Sequence, residues 1–185
     1  MAERYRELRT STDNWQLDYW HLTTRRSSPH PEPSLPHAAS DPDYEPRIRA
    51  SFARQTFMAT LGARMELVTP GEVVLTLPYR ADLAQQHGFL HGGAVATAVD
   101  CACGYATMSL TPAGTAVLTV ELKLNLLAPA AGERFRAVGR VVRAGRTLTV
   151  CTGELWAERA GAEPSLVAIM QTTMMTMRDR AGLAD

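Results

Sequence analysis

Residues 92–110 read GGAVATAVDCACGYATMSL, an apolar run opened by Gly92-Gly93 and closed just ahead of Pro112. Those glycines and that proline are start and stop signals for a helix. Ala, Val, Cys and Met fall on nearly every side of it, so it has no polar face for solvent and needs a sheet curled around it. One residue breaks the pattern. Between Asp82 and Glu121, histidines aside, Asp100 carries the only formal charge, and it stands mid-helix. An ionised carboxylate buried without partners is costly or shifts its pKa upward, which makes Asp100 a candidate for chemistry. The alternative is a carboxylate that faces a wet groove or caps a neighbouring loop.

Strand patterns flank this helix. Met65 to Val68 and Val73 to Leu77, joined at the turn dipeptide Pro70-Gly71, predict a hairpin before it. Thr115 to Leu127, Arg134 to Arg143, Thr147 to Ala157 and Leu166 to Met177 are the strand candidates after it. In the first of these, Val120, Leu122, Leu124 and Leu126 alternate with Thr119, Glu121, Lys123 and Asn125, which predicts one buried face. The separators Ala130-Ala131-Gly132, Ala144-Gly145 and Ala160-Gly161 are short enough to connect antiparallel neighbours. Ahead of the hairpin, Ile48, Phe52, Phe57, Met58 and Leu61 predict one amphipathic helix over 47–61. The expected fold is α+β: a six-stranded antiparallel sheet wrapped around one long buried helix, with an N-terminal helix and an extra N-terminal tail.

A chain of 185 residues, 45% hydrophobic, has enough apolar content for one core and is too short for two ordinary domains. Six of its 11 prolines fall between residues 29 and 46, which predicts a Pro-rich extension over 1–45 and a folded domain over 46–180. Within the extension Trp15, Leu17, Tyr19, Trp20 and Leu22 can form a short docking element; the alternatives are a tail that packs on its own subunit or one that is disordered. The formal net charge is zero, so bulk electrostatics argue for neither nucleic acid nor membrane as a partner. Cys101, Cys103 and Cys151 make an odd count, two of them in an apolar run, which suits reduced thiols and a cytoplasmic location. No signal-peptide core and no convincing membrane span is evident.

His91-Gly92-Gly93 opens the central helix, where backbone N–H groups lack intrahelical partners and the dipole is positive. Glycine lets a substrate oxygen approach those groups, as in an oxyanion hole; the alternative is a turn that only starts the helix, with His91 as its cap. Gly92 and Asp100 stand eight residues apart, about 12 Å along a helix axis. One carbonyl cannot touch both. If both serve one reaction, the end of one helix must meet the middle of another, as at a two-fold interface of a homodimer.

The run His87-Gly88-Phe89-Leu90-His91-Gly92-Gly93, then six residues, then Asp100, resembles the signature of the PaaI-like (phenylacetate-pathway type) acyl-CoA thioesterases of the hotdog-fold superfamily. The resemblance covers roughly residues 46–177. It implies hydrolysis of an acyl-CoA without a cofactor or metal, by a homodimer that often assembles to a tetramer. It also implies that the Gly92 N–H donates to the thioester carbonyl, that Asp100 supplies the catalytic carboxylate from the opposite subunit, and that His91 orients the thioester. Gln85 stands where many members have Asn, and Thr119 matches a Ser or Thr that positions the water or the carboxylate. Gly93 and Leu90 are implied to border the substrate, and the turn Arg143-Ala144-Gly145-Arg146 its nucleotide end, with Arg143, Gly145 and Arg146 as binding residues. Guanidinium forks suit phosphate, and Arg134, Arg136 and Arg140 extend the cluster; the competing reading is a solvated strand edge.

Other readings stay open at this stage. A hotdog enoyl-CoA hydratase or dehydratase and a non-catalytic acyl-CoA-binding module are the alternatives. His87 and His91 have metal-ligand spacing but no third ligand, and Cys101-Ala102-Cys103 suits packing better than thiol chemistry. The acyl pocket is expected among Phe57, Met58, Leu61, Leu83 and Phe89, with Met170, Met174, Met175 and Met177 filling core and interface or lining that pocket.

Overall fold

The computed structural model describes residues 37–178; residues 1–36, with the docking element expected there, and residues 179–185 lie outside it. Helices α1 (Tyr44–Ala53) and α2 (Thr56–Leu61) precede the hairpin of β1 (Arg64–Thr69) and β2 (Glu72–Pro78). The long helix α3 (Gly92–Met108) follows, then β3 (Ala116–Leu126), β4 (Arg134–Ala144), β5 (Leu148–Glu158) and β6 (Ser165–Met177). The six strands form one sheet in the order β1-β2-β4-β5-β6-β3, every pair antiparallel, and α3 packs on β2, β3, β4, β5 and β6. This is the hotdog arrangement.

Small residues let α3 lie directly on the sheet. Ala98, Ala102 and Ala106 recur every fourth residue, and all are fully buried with Val95 and Val99. Opposite them, Gly139 of β4 pairs with Gly153 of β5. A Cβ on Gly139 would stand 2.4 Å from the Ala102 carbonyl carbon, and one on Gly153 would stand 2.3 Å from Val99 Cγ1. The helix end is fastened as well. Arg47 of α1 donates from Nη2 to the carbonyls of Met108 (3.2 Å) and Thr111 (2.9 Å), and from Nε to Asp41 (2.9 Å), a cation placed at a helix C-terminus. Ahead of α1, His37 Nε2 bonds the Val141 carbonyl and Ser40 Oγ the Leu110 carbonyl, so residues 37–43 also pack on this domain.

The sheet leaves one stripe of α3 uncovered. Ala96, Thr97, Asp100, Cys101 and Gly104 are only half-buried, and they recur at the three- and four-residue spacing of a single helix face.

Three expectations need correction. The predicted helix over 47–61 is two helices, because Gln55 is extended (φ −78°, ψ 97°) and turns α2 away. Met58 and Leu61 consequently enter the core while Phe57 is 56% exposed. The alternation in β3 does not produce a buried face within one chain: β3 is an edge strand, and Leu118, Val120, Leu122 and Leu126 are all exposed. Nor does the link through Ala130-Ala131-Gly132 join neighbours, since β5 and β6 lie between β4 and β3. Turn residues report that the chain reverses and carry no information about which strand it rejoins.

Candidate active site

Asp100 faces out of the uncovered stripe of α3 into a cavity of about 520 Å³ walled by α1, α2, α3, β3 and β6. Thr119 Oγ1 donates to Asp100 Oδ1 at 2.9 Å, from a point in β3 where a register shift interrupts the pairing with β6. Burial pushes the Asp100 carboxyl above its ordinary value, and the Thr119 hydrogen bond partly opposes that shift. Of the residues expected to form an acyl pocket, Phe57, Met58 and Met174 do line the cavity; Leu61 is buried in the core, and Leu83 and Phe89 are not in the wall.

The sequence reading missed Gln55 and Tyr105. Gln55 Nε2 donates to the Tyr105 hydroxyl at 2.9 Å, Cys101 Sγ donates to Gln55 Oε1 at 3.6 Å, and Ser51 Oγ lies 3.3 Å from the same hydroxyl. This group fastens the junction of α1 and α2 over the cavity. The signal was available: Gln55 lies seven residues after Ile48, so a polar side chain falls on the apolar face of the predicted helix.

At the N-terminus of α3, His91 is the N-cap, and its Nδ1 accepts from the Gly93 N–H at 2.9 Å. The His91 carbonyl accepts from the Ala94 and Val95 N–H groups. The Gly92 N–H is left with no acceptor among the described residues. Gln85 shapes the preceding turn through its main chain, its N–H bonding Phe89 and its carbonyl accepting from Gly88. Leu90 is 2% exposed and its N–H bonds the Ala130 carbonyl, so it anchors the loop from within the core. His87 stands beside Gln86.

The arginine cluster separates into two groups. Arg134 and Arg136 pair with Glu158, and Arg140 with Glu72 and Glu154. Because β4 is a central strand, the solvated-edge reading of these residues does not hold. Arg143 and Arg146, flanking Gly145 at the β4–β5 turn, have no carboxylate partner among the described residues. That turn lies at the same end of the sheet as Asp100: Thr119 pairs with Met174, Met174 with Thr149, and Thr149 with Ala144.

The thiols are poor nucleophiles. Burial pushes Cys101 up to about 12, Cys151 to about 11 and Cys103 well above the ordinary thiol value. Among the described residues no group of three His, Cys, Asp or Glu side chains can hold a metal ion, and no helix is long and apolar enough to cross a membrane.

Comparison with known proteins agrees with this fold. A model of the thioesterase superfamily matches residues 87–162. A presumptive esterase of Halobacterium salinarum is 35% identical over 129 residues, 66% of this chain and 85% of the relative. The crystal structure of a thioesterase family protein from Silicibacter pomeroyi is 52% identical, with a TM-score of 0.71 over 73% of this chain and 98% of that one. PaaI of the phenylacetic acid degradation operon of E. coli, 22% identical with a TM-score of 0.66 over 77% and 96% of the two chains, shares the fold. A buried helix bearing one carboxylate, a curled six-stranded sheet and these relatives together make the chain a member of the thioesterase superfamily, a thioester hydrolase of the hotdog fold.

Proposed function

We propose that the protein hydrolyses an acyl-CoA to the free acid and coenzyme A, as a homodimer with composite active sites. One observation carries this reading: a single helix holds both an amide with no acceptor among the described residues, Gly92 N–H, and a half-buried carboxylate, Asp100, too far apart to serve one carbonyl. Two copies related by a two-fold axis resolve the distance by bringing the Gly92 end of one α3 to the Asp100 stripe of the other. The open edge of β3 supports such pairing. It carries exposed Leu118, Val120, Leu122 and Leu126 beside Thr119, and an unpaired apolar edge strand is a template for another strand.

In the proposed reaction Asp100 takes a proton from water, and the water oxygen bonds to the thioester carbon. The resulting oxyanion is held by Gly92 N–H and the positive end of α3. Collapse of the intermediate breaks the C–S bond, and the departing thiolate takes the proton back from Asp100. In the alternative route Asp100 attacks the carbon directly, expels the thiolate and forms a mixed anhydride that water then cleaves. Thr119 orients the carboxylate in both routes. His91 spends Nδ1 on Gly93, which leaves Nε2 of the neutral ring as a donor beside the oxyanion site. Arg143 and Arg146, without a carboxylate partner among the described residues, are suited to the phosphates of coenzyme A.

Thiol release from a panel of acyl-CoA substrates tests the reading. Asp100→Asn should lower kcat by about 100-fold or more with the dimer intact. Turnover close to the unsubstituted protein, or hydration of crotonyl-CoA without thiol release, would overturn it.

A further inference from the structure

Gly104 lies one turn beyond Asp100 on the uncovered stripe of α3 and forms part of the cavity wall. Glycine inside a helix is destabilising relative to alanine, so its presence needs a cause. Close packing is the cause at Gly139 and Gly153, where a Cβ would collide with α3 or with its side chains. At Gly104 the opposite holds. An added Cβ would meet no atom within 4 Å beyond its own stretch of helix.

We propose that Gly104 sets the width of the acyl end of the cavity, and that the substrate carries an acyl group long and broad enough to occupy this space. The position is about 6 Å along the helix axis from the carboxylate, so an acetyl-sized group would end short of it. The cavity wall is mixed: Met58, Met108 and Val117 supply its apolar part, beside Ser51, Arg54, Gln55 and Tyr105. It is also fastened: the Gln55–Tyr105 hydrogen bond ties the α1–α2 junction to α3, so a side chain added at position 104 fills the space rather than displacing the wall. The inference rests on the acyl-CoA reading above.

The test compares the unsubstituted protein with Gly104→Ala and Gly104→Leu on acetyl-CoA, octanoyl-CoA and benzoyl-CoA, with melting temperature and size-exclusion elution measured in parallel. The unsubstituted protein should prefer octanoyl- or benzoyl-CoA to acetyl-CoA. Gly104→Leu should lower the ratio of kcat/KM for the larger substrates over acetyl-CoA by roughly tenfold or more, with the dimer retained. Gly104→Ala should raise the melting temperature and lower that ratio less. An unchanged ratio would overturn the inference, and so would a preference of the unsubstituted protein for acetyl-CoA. Uniform loss on all three substrates together with loss of the dimer would also overturn it, since the second subunit would then be what occupies this face. Failure of the folded, dimeric, unsubstituted protein to release thiol from any of the three would instead remove the acyl-CoA reading itself.

Discussion

Burial and the Thr119 hydrogen bond act on Asp100 in opposite directions, and burial is the larger effect. A base must be ionised, so activity should fall on the acid side at a pH above the ordinary aspartate value of 3.8. Thr119→Val removes the one interaction that lowers the pKa while nearly preserving side-chain volume. The acid limb of kcat/KM should therefore move to higher pH; an unmoved limb would mean that Asp100 is not the titrating base. The same shift has a consequence for stability. A carboxyl whose pKa is raised on folding is held more favourably when protonated, so its ionisation destabilises the fold as pH rises through the raised value. Asp100→Asn should consequently melt at a higher temperature than the unsubstituted protein at neutral pH, and the difference should vanish below about pH 3.8, where the carboxyl is protonated. Rising stability with falling activity is the pattern of a group retained for chemistry.

At the scale of elements, α3 is shaped by what lies against each of its faces. Against the sheet, Ala102 and Val99 approach Gly139 and Gly153 so closely that no side chain fits between. Gly153→Ala would force a Cβ to within 2.3 Å of Val99 Cγ1 and 2.9 Å of Cys103 Sγ. Overpacking of this kind costs about 1–3 kcal/mol, which urea denaturation can measure, whereas alanine at Gly104 should stabilise. The two substitutions are chemically identical and opposite in sign. The break between α1 and α2 belongs to the same scale: helix periodicity favours continuity over 47–61, but the Gln55 amide finds its partners on Tyr105 and Cys101 only when the backbone turns there.

For the whole molecule, composite sites make a prediction that a site within one chain does not. Gly92→Pro removes the proposed oxyanion donor at the first helical position, where proline is tolerated, and Leu126 Cδ1, 3.3 Å from the Cβ position, has only to shift slightly. Homodimers of Gly92→Pro and of Asp100→Asn should each be nearly inactive. Co-expressed, they should recover about a quarter of full activity, because half the dimers are mixed and one of the two sites in each mixed dimer is intact. A site formed within a single chain would recover nothing, since every chain carries one lesion.

Local pattern was enough for much of this protein. The apolar run over 92–110 required a buried helix, apolar runs bounded by turn residues located the strands to within a residue or two, and the lone charge at Asp100 marked the cavity. These features depend on neighbours along the chain, and neighbours along the chain are what a sequence displays. Strand order, the meeting of Asp100 with Thr119, the Gln55–Tyr105 clasp and the sorting of paired from unpaired arginines depend on residues far apart in the chain. The exposed apolar residues of β3 show the boundary most clearly: their alternation is that of a half-buried strand, yet one chain leaves them uncovered, because what a face packs against is decided only when distant elements come together.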